Sequence, residues 1–191
     1  MEYPVRTRQW TRAEYDRLIE VGVFQPGDPV ELLGGELVVA EPQSSPHYTA
    51  ICLAAEALKA AFGDGWVVRQ QGPIALDEQS EPEPDVAVVR GRLRDYRGEH
   101  PARPVLVVEV ALSRLTLDRD HKGSLYARAG LDEYWIVNLV DRVLEVYRQP
   151  VTDAAAAFGW RYASGQTLGP GAAIAPRAAP NAAVRVADLL P

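Results

Sequence analysis

The chain has a single cysteine, Cys52, which excludes a disulfide framework and a thiolate zinc site and fits a reducing cytoplasm. It has no uninterrupted apolar span of about 18 residues, so no membrane-crossing helix is expected. Met1 to Trp10 lacks the apolar core of a signal peptide, and a soluble intracellular protein is the expectation. A surplus of positive charge is missing too. With 20 basic residues against 26 acidic ones the net charge is −6, which argues against non-specific binding of nucleic acid through the whole surface. There is no Gly-x-Ser-x-Gly, no His-Glu-x-x-His and no phosphate-binding glycine loop, and Asp120-His121 reverses the His-Asp pair of metal phosphohydrolases. Serine-hydrolase and zinc chemistry are therefore not expected. No solenoid repeat is visible.

What is present suits a globular protein: 191 residues, 47% of them hydrophobic, are enough for one domain with a full core. Thr11-Arg12-Ala13-Glu14 matches a capping box and predicts a helix over 12–21. Val30 to Leu33, Gly34-Gly35 and Glu36 to Ala40 read as a β-hairpin, because paired glycines supply the positive φ of a two-residue turn. Apolar residues from Ile51 to Phe62 recur at three and four positions and predict a helix over 46–62, with Pro46 in its first turn and His47 near its N-terminus. Strands are expected at Trp66 to Gln70, Pro73 to Leu76, Tyr134 to Leu139 and Val143 to Tyr147. Between them, Thr116 is a candidate N-cap for a helix over 117–129 closed by Gly130. Residues 151–191 carry little periodic signal, only Phe158 to Tyr162 and Val184 to Leu190 being expected to dock on the core, and read as a variable extension to a core of about 10–150 within one 1–191 domain.

Two further apolar runs break their own pattern. Asp85 opens Pro84-Asp85-Val86-Ala87-Val88-Val89, and Glu109 sits inside Val105-Leu106-Val107-Val108-Glu109-Val110. An unpaired carboxylate on a buried strand costs several kcal/mol, on the order of its desolvation penalty, so it needs a cation or a role. Magnesium or manganese would supply the cation: it takes hard oxygen ligands and keeps several waters, so Asp85, Glu109 and the Val110 carbonyl are a sufficient protein share. Asp118, Lys122 and Tyr126 recur every four residues on one helix face. Lys122 beside the metal, its pKa lowered by that charge and by desolvation, could orient or deprotonate a water. Arg90, Arg92, Arg94 and Arg97 in the intervening loop are candidate phosphate contacts.

The combination Pro84-Asp85, Glu109-Val110, Asp118-x3-Lys122-x3-Tyr126-x3-Gly130-x2-Glu133-Tyr134-Trp135 resembles the Uma family, a branch of the PD-(D/E)xK restriction-endonuclease-like superfamily in which the motif lysine has moved from the strand to the following helix. Glu31-Leu32-Leu33-Gly34-Gly35-Glu36-Leu37 and Pro46-His47 are similar to that family's N-terminal pattern. The resemblance spans roughly residues 10 to 150. It implies an α/β (α+β) restriction-endonuclease-like core with a four- or five-stranded central mixed sheet flanked by helices, a magnesium site at Asp85 and Glu109, Lys122 as catalytic lysine, and Glu36 as auxiliary acid. Three features depart from the pattern. The segment Leu112 to Thr116 lacks the usual proline, Gly34 replaces an acid in the hairpin turn, and Gly123 weakens the helix by up to about 1 kcal/mol relative to alanine.

Blander readings stay open at this stage. Asp118 and Lys122 could be a surface ion pair, Asp85 the exposed start of a strand, His47 a structural hydrogen-bonder and Tyr126 a core residue bonded to the site, while His121 reads as solvated. The expectation is a magnesium- or manganese-dependent endonuclease that hydrolyses DNA with metal-activated water in the cytoplasm, as a homodimer, since two sites suit the cutting of both strands. The alternatives are a non-catalytic nuclease-fold module that binds DNA or a protein partner, and an RNA-directed or structure-specific nuclease.

Overall fold

The computed structural model describes residues 7–25, 27–40 and 43–191, so residues 1–6 of the stretch considered as a leader lie outside the described residues. Helix α1 (Arg12–Glu20) begins at the expected capping box, the Thr11 hydroxyl accepting from the Glu14 N–H while the Glu14 carboxylate accepts from the Thr11 N–H. Strands β1 (Val30–Leu33) and β2 (Glu36–Val39) pair antiparallel across Gly34-Gly35, both at positive φ. Helix α2 (Ser45–Phe62) buries Ile51, Ala54, Ala55, Leu58 and Phe62 along one stripe.

The remaining strands are β3 (Trp66–Gln70), β4 (Val86–Arg90), β5 (Leu106–Ala111), β6 (Glu133–Asn138), β7 (Val143–Thr152) and β8 (Trp160–Leu168). They form one mixed sheet in sequential order, antiparallel except for the β5–β6 pair. The crossover between those parallel strands carries a π-helical turn (Leu117–Lys122) that runs directly into α3 (Gly123–Arg128). β5 and β6 are buried along their whole length, as central strands covered on both faces must be. Period two then sorts their side chains. Val86, Val88, Val108, Val110, Trp135 and Val137 pack toward α2 and the C-terminal tail. Ala87, Val107, Ala111, Tyr134 and Ile136 pack with Tyr126 of α3, and alternation puts Asp85 and Glu109 on this second face.

Four expectations need correction. The sheet has six strands, not four or five. Pro73 to Leu76 is not a strand of it: with prolines at 73 and 82, the segment bonds instead to loops, Ile74 N–H to Pro82 O and Ala75 N–H to Pro101 O. Thr116 is not a cap, since helical structure begins one residue earlier and Thr116 has helical angles with no side-chain bond. The tail is more regular than its composition suggests. β8 is an edge strand of the sheet, and the pair β9 (Ala173–Ile174) and β10 (Val184–Arg185) leads into a 3-10 turn through which the Val184 to Leu190 segment docks as expected, burying Val186 and Leu189 in the α2-side core. Among the described residues no helix is long and apolar enough to cross a membrane.

The tail also accounts for Gly34. A Cβ at this position would collide with the Phe158 ring, and its φ is +59°. Phe158 is held by its N–H bond to the Ser124 hydroxyl and packs edge-on against His121 at 4.6 Å, so His121 is half-buried, not solvated. Gly34→Asp is expected to destabilise the fold by about 1–3 kcal/mol in urea unfolding, as overpacking does. Adding Phe158→Ala should recover part of that loss, and an unchanged midpoint for Gly34→Asp would contradict this packing.

Candidate active site

Because β4 runs antiparallel to β5, the start of β4 and the end of β5 lie side by side, and the two carboxylates meet there. Asp85 and Glu109 are cross-linked through backbone: the Val110 N–H donates to Asp85 Oδ2 at 2.8 Å, and the Asp85 N–H donates to Glu109 Oε2 at 3.4 Å. Lys122 Nζ reaches Glu109 Oε1 at 3.1 Å, and Tyr126 donates its hydroxyl to the same oxygen at 2.6 Å. His47 Nε2, in the first turn of α2, lies 2.7 Å from the Val110 carbonyl and 3.4 Å from Asp85 Oδ2. Two acceptors around one nitrogen place its proton on Nε2.

These groups line a cavity of about 740 Å³ whose further walls are the β1–β2 hairpin, Ser44, the Leu112–Arg114 loop and the π turn. That turn presents Asp118 and Lys122 to the cavity together. Its shape is held by the Tyr134 hydroxyl, which donates to the Asp118 carbonyl at 3.1 Å, and by Gly123, where a Cβ would stand 3.3 Å from the same carbonyl oxygen. The Gly123 that weakens a helix by propensity thus fits a crowded junction.

The auxiliary acid is the main revision. Glu36 is exposed at the turn end of β2 opposite Leu33 and does not line the cavity. The hairpin carboxylate that reaches Lys122 beside Glu109, at 3.3 Å, is Glu31, which also accepts from the Glu83 N–H at 3.0 Å. Glu31 carries the same signal as Glu109, an acid flanked by Val30, Leu32 and Leu33. Glu83 lines the cavity as well.

The arginine loop is not brought to this site. Asp85 precedes β4 and Arg90 closes it, so Arg90 lies about five residues away, roughly 16 Å at 3.3 Å per residue. Its guanidinium stacks over Trp66 instead, at 4.6 Å. Arg92, Arg94 and Arg97 follow it around the short turn Leu93–Tyr96 and do not line the cavity. The basic group at the cavity wall besides Lys122 and His47 is Arg114, whose Nη1 donates to the Val39 carbonyl at 3.1 Å.

Five carboxylates, Glu31, Glu83, Asp85, Glu109 and Asp118, thus face Lys122 and His47 in the inner cluster, and proton affinity is raised at Glu109, Asp118, Glu83, Lys122 and His47. Burial pushes Glu109 up to about 8, against the pull of Lys122 and reinforced by Asp85, Asp118 and Glu31. Burial likewise moves Asp118 up to about 6, and burial and the Glu31 charge raise Glu83. Burial alone would lower Lys122, but the attraction of Glu109, Glu31, Asp118 and Asp85 outweighs it and holds the ammonium well above its ordinary value. With its carboxylate partners alone Lys122 is a charged donor, and the lowered pKa expected for it would need the charge of a bound cation beside it. Hydrogen bonding to Asp85 raises His47 against its burial.

A cluster short of positive charge and built from hard oxygens fits a divalent cation. Among the described residues no three His, Cys, Asp or Glu side chains form a cage by themselves. Two carboxylates with the free lone pair of the Val110 carbonyl would leave the remaining positions to water.

Glu81 positions β1 from below, its N–H bonded to the Leu32 carbonyl. Among the described residues the basic groups near its buried carboxyl are Arg12 at 3.7 Å and His100 at 3.9 Å, the latter held toward its neutral form by burial. Burial and then the Asp16 charge push it from 4.5 up to about 7. The folded state holds this proton more tightly than the unfolded chain, so the stability it contributes is full below 4.5 and lost as pH rises through about 7. Glu81→Gln is expected to be more stable than wild type at about pH 8 and to flatten the pH slope of urea unfolding. An unchanged slope would contradict that assignment.

The chain matches the family described as "Uma2: Putative restriction endonuclease" over residues 12–185. Its fold resembles the crystal structure of "a putative nuclease belonging to DUF820 from Anabaena variabilis ATCC 29413", with a TM-score of 0.66 at 14% identity over 89% of this chain and 94% of that one. No curated protein matches the sequence.

Proposed function

The chain belongs to the Uma2 family of the PD-(D/E)xK restriction-endonuclease-like superfamily, and from that premise we propose that it is a magnesium- or manganese-dependent endodeoxyribonuclease. The observation that carries the reading is the convergence of Asp85, Glu109, Glu31 and Lys122, all buried, from four separate segments onto one cavity. Asp85, Glu109 and the Val110 carbonyl would hold the ion, which when bound lowers the pKa of a water and offsets charge on the scissile phosphate. The chain's own groups do the rest. Tyr126 fixes the Glu109 carboxylate, and His47 fixes Asp85 and the Val110 carbonyl. Lys122, held charged between Glu109 and Glu31, donates protons toward the cavity, where it can orient the attacking water or stabilise developing charge. Each copy carries one such site, so cutting both strands of a duplex takes two copies or two encounters.

Glu31 and Glu36 separate this arrangement from the expected one, in which Glu36 is the auxiliary acid. Glu31→Gln is expected to lower metal-dependent cleavage by about 10–100-fold, as loss of a group that orients a ligand or its partner does, while Glu36→Gln leaves it unchanged. Equal losses, or a loss confined to Glu36→Gln, would contradict the geometry. One observation favours a second reading, a binding module without catalysis: Lys122 is already satisfied by two carboxylates within the fold. Chelator decides between them, because a binding module keeps its main activity in EDTA and the nuclease does not.

A further inference from the structure

We propose that this cavity takes its phosphodiester from an unpaired strand and that Tyr48, with Val39 and Leu112, forms the platform on which the flanking bases stack; the proposal rests on the nuclease reading above. The first argument is depth. Asp85, Glu109 and Lys122 are 9%, 3% and 6% exposed, at the floor of a cavity of about 740 Å³. That volume is of the size that encloses a small organic ligand, about 300–1,000 Å³. A duplex is stiff over about 150 base pairs and carries its phosphates on the outside of a wide cylinder, so turning one phosphate into such a recess costs it bending or unpairing. A single strand incurs neither cost.

The second argument is the chemistry of the rim. Val39 ends β2, Leu112 follows β5 and Tyr48 lies in the first turns of α2, and these large apolar side chains remain 60%, 40% and 54% exposed. Leu112 lines the cavity itself, Val39 lies between the lining residues Val38 and Ala40, and Tyr48 stands one helical turn beyond the lining Ser44, to whose carbonyl its N–H bonds. Three segments thus leave apolar surface in water around one polar cavity. Nucleobases stack on an aromatic ring such as Tyr48 whatever their sequence, and Val39 and Leu112 add apolar contact beside it.

The third argument is charge. Either form of nucleic acid gains affinity from basic groups that displace counterions from phosphate, and a single strand can add stacking of its bases. Here the arginine-rich loop lies at the far end of β4, and the cavity wall is acidic, with Arg114 at its edge against the Val39 carbonyl. Affinity must then come from contacts with bases as well as with phosphate, and bases are open to a side chain only when unpaired.

The test is fluorescence anisotropy of the full chain with a labelled oligonucleotide of about a dozen nucleotides, single-stranded and as a blunt duplex, with manganese and again in chelator. The single strand should bind at least about tenfold more tightly. Tyr48→Ala should weaken it by roughly 5- to 100-fold, with no change for the duplex, and Tyr48→Phe should restore it. Duplex binding equal to or tighter than single-strand binding, a silent Tyr48→Ala, or no binding of either form overturns the proposal. Cleavage of the same oligonucleotides separates its failure from that of the nuclease reading. Glu109-dependent cutting of duplex without preference for the single strand overturns this inference alone. Tight, Tyr48-dependent single-strand binding with no metal-dependent cutting overturns the nuclease reading alone.

Discussion

Lys122→Met is expected to lower the unfolding free energy by about 3–5 kcal/mol in urea melts at about pH 8, because removing one partner of a buried pair leaves the other charge uncompensated. Lys122 is the shared cation of Glu109 and Glu31, at 3.1 and 3.3 Å, with both carboxylates nearly excluded from solvent. Methionine fills the space of the alkyl stem but offers no charge. The loss should be smaller at about pH 5, where Glu109, already pushed up to about 8 with Lys122 in place, would be protonated and neutral. Adding Glu109→Gln should return part of the lost stability at the higher pH. An equal loss at both pH values, or no coupling between the two substitutions, would mean that packing and not charge makes Lys122 necessary.

Glu109→Gln is expected to reduce metal-dependent cleavage on the order of 10³-fold, since the ion contributes several kcal/mol of transition-state stabilisation. Glutamine keeps the shape of the side chain and an oxygen that accepts from Tyr126 and Lys122. Lys122 also keeps Glu31, so this variant should fold, which circular dichroism would verify. Cleavage within a factor of a few of wild type would remove Glu109 from the machinery. The two substitutions therefore separate the roles of one ion pair: loss of Lys122 falls most heavily on stability, and loss of Glu109 on chemistry.

Much of this site is legible in the sequence because burial and charge conflict there. Glu109 among four valines and a leucine cannot be a surface acid, and alternation along the strand assigns its face without further information. Lys122, Tyr126 and Gly130 follow from helical spacing. Other features were misplaced for identifiable reasons. Glu31 satisfies the same criterion as Glu109, but the hairpin pattern drew attention to Glu36, which one turn of chain carries into solvent. Arg90 to Arg97 are near Asp85 in sequence, yet a five-residue strand between them carries them to the other end of the sheet. The π turn leaves no mark on a four-residue periodicity. It rests on contacts from Tyr134, eleven residues after Gly123, that exist only once the sheet has formed. Past Tyr162 β8 leaves little mark on the sequence because it is an edge strand, with half-buried or exposed residues and Ala, Ser, Gly and Thr where a central strand would carry Val and Ile.

The central claim is a preserved divalent-cation site at Asp85 and Glu109, and calorimetric titration of manganese into the wild type beside Glu109→Gln, with a short oligonucleotide present, tests it most directly. Saturable binding in the wild type that disappears in the variant is the result expected here. The same isotherm in both proteins, or no binding in either, would contradict it and leave Glu109 as the buried partner of Lys122.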